Sequence, residues 1–255
     1  MNSVTDVSGV GGEGLSGFGG GKEEVQANVK PKRKWPRYLL RGALVFAAAL
    51  ALGQLMYTYS GDGKWQYVDQ GRGVTVYSQK ASGTNTKKFM AVFRVKGTLS
   101  QVTAFLTDND SDMGDGGFSE SRVLQKESPQ VYWTYWQMPL AYPMSRRDYS
   151  VKHVVTQDPK TKEVLYSLTA KPYMVPEEKC CVRVLKMDNS WRLTPIGSDQ
   201  VEIHWIIDMN IGGWAPYFMV NAWFPWEMLN FGPSFQEIID RKKYVGVKLD
   251  WIQNS

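Results

Sequence analysis

The chain has 255 residues and a net charge of +5, enough length for one sizeable domain with appendages. Residues 1–41 carry +3 of that charge and the remaining 214 residues only +2. The folded part is therefore near neutral and lacks the clustered basic footprint of a nucleic-acid binder. Aromatic residues make up 13% of the chain and nearly all ten Trp lie beyond residue 60, a composition that packs a dense core or lines an apolar cavity.

The first 21 residues contain eight Gly, and a basic cluster follows, Lys30, Lys32, Arg33, Lys34, Arg37 and Arg41. Residues 1–41 read as a disordered Gly-rich and basic tail. From Gly42 to Gly61 there is no charge over 20 residues, and Ala43 to Leu52 is unbroken apolar sequence. Twenty helical residues span about 30 Å, the thickness of a bilayer's hydrocarbon core. Trp35, Tyr38, Tyr57 and Tyr59 flank the run where interfacial aromatics belong. A cleaved signal peptide would need its small-residue site after the run, but Ala49-Leu50-Ala51 lies inside it. A buried amphipathic helix would need a polar face, and no polar residue appears before Gln54. The segment 42–59 is therefore read as a signal-anchor helix. The positive-inside rule then puts the domain at 60–255 on the non-cytoplasmic side, periplasmic or extracytoplasmic.

From Trp65 onward the pattern is mostly strands. Val74 to Tyr77, Phe89 to Val95, Val131 to Met138, Tyr149 to Thr156, Glu163 to Ala170, Cys180 to Lys186 and Val201 to Met209 read as extended, with turn-rich pieces between them. Ser100 to Leu106 suits a short helix with Ser100 as N-cap. Asp108 to Gly117 is an Asp- and Gly-rich loop without the Glu that closes a calcium loop. Pro216 to Tyr244 reads as a long apolar helix interrupted at Pro225 and Pro233. Adjacent Cys180 and Cys181 are closer than a relaxed disulfide prefers and would face opposite ways on a strand. No disulfide and no metal site are expected from them.

Chemical signatures are missing. The sequence has no G-x-S-x-G, no H-E-x-x-H, no phosphate-binding loop and no G-x-G-x-x-G after a strand. With two His in the chain, neither spacing nor neighbours point to a nucleophile–base pair. No cofactor and no catalytic residue are assigned.

The stretch VYWTYWQMPLAYPMSRRDY, Val131 to Tyr149, joins an aromatic strand to a Pro-broken, charged turn. Pro143-Met144-Ser145 followed by Arg147-Asp148-Tyr149 resembles the P-x-S-x-R-D-[YF] signature of START domains, the steroidogenic-acute-regulatory-related lipid-transfer family. Gly73 to Tyr77, Val182-Arg183-Val184, Trp191 to Pro195 and Asn210 to Pro216 closing on Asn221 resemble further motifs of that family, in its order. The resemblance covers roughly Trp65 to Asp240. It implies an α+β helix-grip fold, a curved antiparallel sheet wrapped around a long C-terminal helix with a lipid cavity between them.

Trp136 and Tyr149 match positions where the family's phosphatidylcholine-binding member places aromatics around choline by cation–π attraction. The third such position falls near Met187, which is not aromatic, and the segment Asp108 to Ser119 offers no Arg for a phosphate. A sterol-like or other neutral lipid is favoured over phosphatidylcholine. Strand alternation puts Val201, Ile203, Trp205, Ile207 and Met209 on an inner face and His204 outside. His153, Tyr149, Tyr166 and Arg183 are the polar candidates for a head group. The expected ligand site is thus Trp136, Tyr149, His153, Tyr166, Arg183, Met187 and Trp205. The expected function is non-catalytic binding and transfer of one lipid, with lipid and membrane as partners and the C-terminal helix as gate, Gly212-Gly213 being its joint. A polyketide cyclase or aromatase using the same cavity, or a membrane-tethered interaction module, are the alternatives.

Overall fold

The structure, a computed structural model, describes residues 37–109, 117–213 and 215–254. The sequence-based disordered tail falls mostly on residues 1–36, and most of the Asp-rich loop on 110–116, outside the described residues. Contacts divide the chain at Ala48/Ala49, so the two units are described separately.

Helix α1 runs Arg37–Tyr59. Its stretch Tyr38–Tyr59 is the one segment, among the described residues, long and apolar enough to cross a membrane.

The unit from Ala49 is built on one large curved sheet. Its strands are β1 (Trp65–Gly71), β2 (Val74–Gln79), β3 (Lys88–Lys96), β4 (Glu120–Lys126), β5 (Val131–Met138), β6 (Arg146–Gln157), β7 (Val164–Ala170), β8 (Cys181–Arg183), β9 (Lys186–Ile196), β10 (Gln200–Ile207) and β11 (Met209–Asn210). The spatial order is β1-β2-β3-β10-β9-β7-β6-β5-β4, antiparallel along the path; β11 pairs with β9, and β8 pairs with β6 in parallel. Among the described residues, α2 (Leu99–Leu106) and α3 (Tyr217–Ile239) pack with it.

Alternation explains the grip. Phe89, Ala91, Phe93 and Val95 of β3 and Val201, Ile203 and Ile207 of β10 are buried on the face that meets α3. Phe235 of α3 packs its ring on Phe93 at 5.5 Å and on Phe105 of α2 at 5.0 Å, while Phe224 meets Phe89 at 5.7 Å. Strand β5 is buried on both faces. Its outward rings are covered by cations from neighbouring strands, with Lys152 5.0 Å from the Trp133 ring and Arg122 4.7 Å from that of Tyr135.

Three sequence expectations are corrected. The N-cap of α2 is Thr98, whose side chain accepts from the Gln101 N–H at 3.2 Å; Ser100 lies inside the helix because the chain turns helical at Leu99. Helix α3 is not interrupted, since Pro225 and Pro233 sit within one helix. Each proline removes a single backbone donor, and buried Phe224, Met228 and Phe235 hold the helix around them. Cys180 and Cys181 are joined in a disulfide with Cα atoms 3.7 Å apart. Only Cys181 belongs to β8, and Cys180 lies in the preceding turn, so strand alternation does not set their side chains on opposite faces.

Candidate functional site: a cavity between the sheet and the C-terminal helix

The strands that curve around α3 leave an apolar cavity of about 340 Å³. The sheet supplies Trp136 and Met138 from β5, Tyr166 and Leu168 from β7, Asn189 and Trp191 from β9, and Trp205 and Ile207 from β10. Helix α2 adds Phe105 and Leu106, the loop before β4 adds Phe118, and α3 adds Trp223, Phe224, Glu227 and Phe231.

Two aromatic groups shape its walls. Trp191 and Trp205 are cross-strand partners, stacked at 4.7 Å and 6°, and Phe231 packs against Trp205 at 5.3 Å. Opposite partners Trp136 and Tyr149 lie 6.5 Å apart, and Phe118 stacks on Trp136 at 4.9 Å. The Trp136 indole N–H and the Tyr149 hydroxyl are buried without a hydrogen-bond partner among the described residues. Burial pushes the Tyr149 hydroxyl pKa upward, so it stays protonated.

Of the seven residues expected from sequence, Trp136, Tyr166 and Trp205 line the cavity. Tyr149 is not among the lining residues; it stands beside Trp136 on the same face of the sheet, with its ring edge-on to Phe118. His153 is fully buried with both ring nitrogens engaged, one 2.7 Å from Thr134 Oγ1 and the other 2.6 Å from Tyr166 Oη. The Tyr166 hydroxyl also meets Tyr132 Oη at 3.0 Å. Met187 is buried where β9 pairs with β11.

Arg183 is committed elsewhere. Its Nε and Nη2 donate to Asp148 Oδ2 at 2.9 and 2.7 Å, and the guanidinium also holds the carbonyls of Pro172, Val175 and Pro176. Neighbouring Arg147, 1% exposed, donates to the carbonyls of Ser145, Ile211 and Gly212. The charged turn thus ties three connecting segments together. Gly212 and Gly213, both at φ near +60°, make the left-handed bend that leads to α3.

Sequence reasoning missed Glu227. It stands four residues from both Trp223 and Phe231 on one helix face, spacing that marked it as facing the same way as they do. Burial pushes its carboxyl pKa upward. Among the described residues, it is the only charged side chain lining the cavity.

No protein-family model matches the chain. An uncharacterized protein of Pseudomonas aeruginosa is 28% identical over 159 residues, 62% of this chain and 78% of that protein. Among solved structures, the STAR-related lipid transfer protein of Xanthomonas axonopodis superposes with a TM-score of 0.62 at 21% identity, over 70% of this chain and 99% of that one. Human StAR-related lipid transfer protein 5 gives 0.59 at 17% identity, over 78% and 97%. The domain is therefore a START-like helix-grip domain, the architecture of the lipid-transfer structures it superposes on.

Proposed function

We propose that this domain binds one lipid without chemical conversion and passes it to or from a membrane, with α1 as its anchor and the domain on the non-cytoplasmic side. The cavity between sheet and α3 carries this reading. It is walled mainly by aromatic and aliphatic side chains, and at about 340 Å³ it lies toward the small end of ligand pockets. Burial of apolar surface drives uptake at about 25 cal/mol per Å². The ligand's exit from a bilayer offsets much of that gain, so a polar contact must decide which lipid stays.

A phosphate fits poorly. No Lys or Arg lines the cavity among the described residues, and a buried phosphate without a cation is costly. A compact lipid such as a sterol, or another without a phosphate, is favoured over phosphatidylcholine. Release requires α3 to move from the sheet, and the Gly212-Gly213 bend is the joint that this motion would use.

The test fills the cavity. Full-length protein reconstituted in vesicles is compared with Leu168→Trp, which places an indole into the space from a buried wall residue. Lipid extracted from the purified wild type should be identifiable by mass spectrometry and recovered unchanged after incubation. The variant should melt normally, carry at most a tenth of that lipid and transfer correspondingly less. A wild-type protein that neither retains nor transfers any lipid would overturn the carrier reading, and a bound compound returned chemically altered would replace it with an enzyme.

A further inference from the structure

The cavity has one charged group, and it is an acid. Glu227 sits between Trp223 and Phe231 on the face of α3 that closes the cavity, opposite Trp205 and Trp191 of the sheet. It is half-buried, its carboxylate has no hydrogen bond or ion pair among the described residues, and burial alone accounts for the rise in its pKa. Other polar lining groups are neutral and partly used. Tyr166 Oη is bound into the His153–Tyr132 network, and Asn189 spends its side-chain carbonyl on the Asp208 N–H at 2.9 Å.

A ligand that fills the cavity takes water from this half-buried carboxylate, which is unfavourable unless the ligand supplies a partner in its place. A donor does so. An ammonium gives a charge-assisted hydrogen bond and can also lie against the surrounding aromatic rings; an alcohol gives the hydrogen bond alone. A carboxylate or phosphate would add a second anion beside the first with no cation to hold either.

We propose that Glu227 is the head-group residue of this cavity, selecting a lipid whose apolar body ends in a hydrogen-bond donor, an amine ahead of an alcohol, and excluding lipids that end in an acid. This rests on the lipid-binding reading and names the ligand class for the same site. The stretch Trp223–Glu227–Phe231 makes the selecting group part of the helix that would move on release, so head-group contact and closure are made by one element.

The experiment uses full-length protein in vesicles and three photoactivatable probes with the same twelve-carbon diazirine chain, ending in a primary amine, an alcohol or a carboxylate. Labelled peptides are located by mass spectrometry at pH 7. The amine probe should label cavity-lining peptides at least tenfold more than the acid, with the alcohol between them. Glu227→Gln should lower amine labelling about tenfold, leave alcohol labelling within threefold, and raise the acid toward the alcohol. Alcohol labelling of the cavity with an amine-to-acid ratio that Glu227→Gln does not change would overturn the head-group assignment while leaving the carrier reading intact. Failure of all three probes to label the cavity would overturn both.

Discussion

His153 of β6 is held by hydroxyls of β5 and β7. It is 0% exposed and its ring stacks on Tyr132 at 4.3 Å and 7°. Each ring nitrogen has a hydroxyl partner, Thr134 or Tyr166. Burial lowers its pKa from 6.5 to about 3. The folded state therefore keeps it neutral at pH values where the unfolded chain binds a proton. Its contribution is complete above the unfolded value and is lost progressively as pH falls from 6.5 toward 3. At pH 5 the loss is about 2 kcal/mol. Replacement by Gln, which keeps a donor and an acceptor but does not titrate, should shrink the difference between unfolding free energies at pH 7 and pH 5 by about that amount. Denaturant melts of both proteins at the two pH values measure it, and identical pH dependence would mean that His153 is not held neutral. Because the His is silent toward solvent, its part in any ligand site would pass through Tyr166, whose ring reaches the cavity wall.

At the scale of elements, α3 lies close on the sheet because of Gly232. A Cβ added there would stand 2.3 Å from Val74 Cγ2, and Val74 is itself buried in β2 at 1% exposure. Gly232→Ala gains about 1 kcal/mol of helix propensity, but overpacking a β-branched core residue costs more. We expect a net loss of about 2 kcal/mol in denaturant unfolding, with Val74→Ala restoring part of it in the double variant. Additive losses would show that the two residues do not meet.

Strands β2, β3 and β10 were legible because alternation has a fixed period, and the inward parity of Trp205 agrees with its place at the cavity wall, where Trp136, picked by its match to the START pattern, also lies. Strands β1 and β4 were not read. They are the sheet's outermost strands, largely solvent-facing, so the inside–outside contrast that betrays a strand is weak in them. Arg183 and Met187 shared a parity in sequence, but β8 ends at Arg183 and β9 starts at Lys186. The interruption breaks the phase and turns the guanidinium to Asp148. Glu227 was legible in principle from its spacing to Trp223 and Phe231, but only a helix face known to look into a cavity gives that spacing meaning.

At the scale of the molecule, the last turns of α1 within the unit from Ala49 are bonded to the start of α3. Tyr217 Oη donates to Gln54 Oε1 at 2.6 Å, and its ring stacks on Tyr57 at 5.1 Å. Asn221 Nδ2 donates to Tyr57 Oη at 3.0 Å and to the Asn85 carbonyl at 3.0 Å, while Thr58 Oγ1 donates to Asn85 Oδ1 at 2.7 Å. Exposed Phe218 and Met219 stand beside these contacts in sequence. In the proposed carrier, α3 must leave the sheet for lipid to pass, and its first turns are tied to the end of the anchor. Each neutral, partly exposed hydrogen bond is worth about 1 kcal/mol, so the latch resists opening by a few kcal/mol at most. The double variant Tyr217→Phe with Asn221→Ala removes its polar part and leaves the cavity wall untouched. In full-length protein reconstituted in vesicles, a fluorescent lipid loaded into the cavity should exchange at least about fivefold faster than from wild type. The amount bound at equilibrium should change little, while the melting temperature should fall by several degrees, as loss of these bonds and of the Lys87 N–H to Asn221 Oδ1 bond requires. An unchanged exchange rate would mean that the start of α3 stays in place during release.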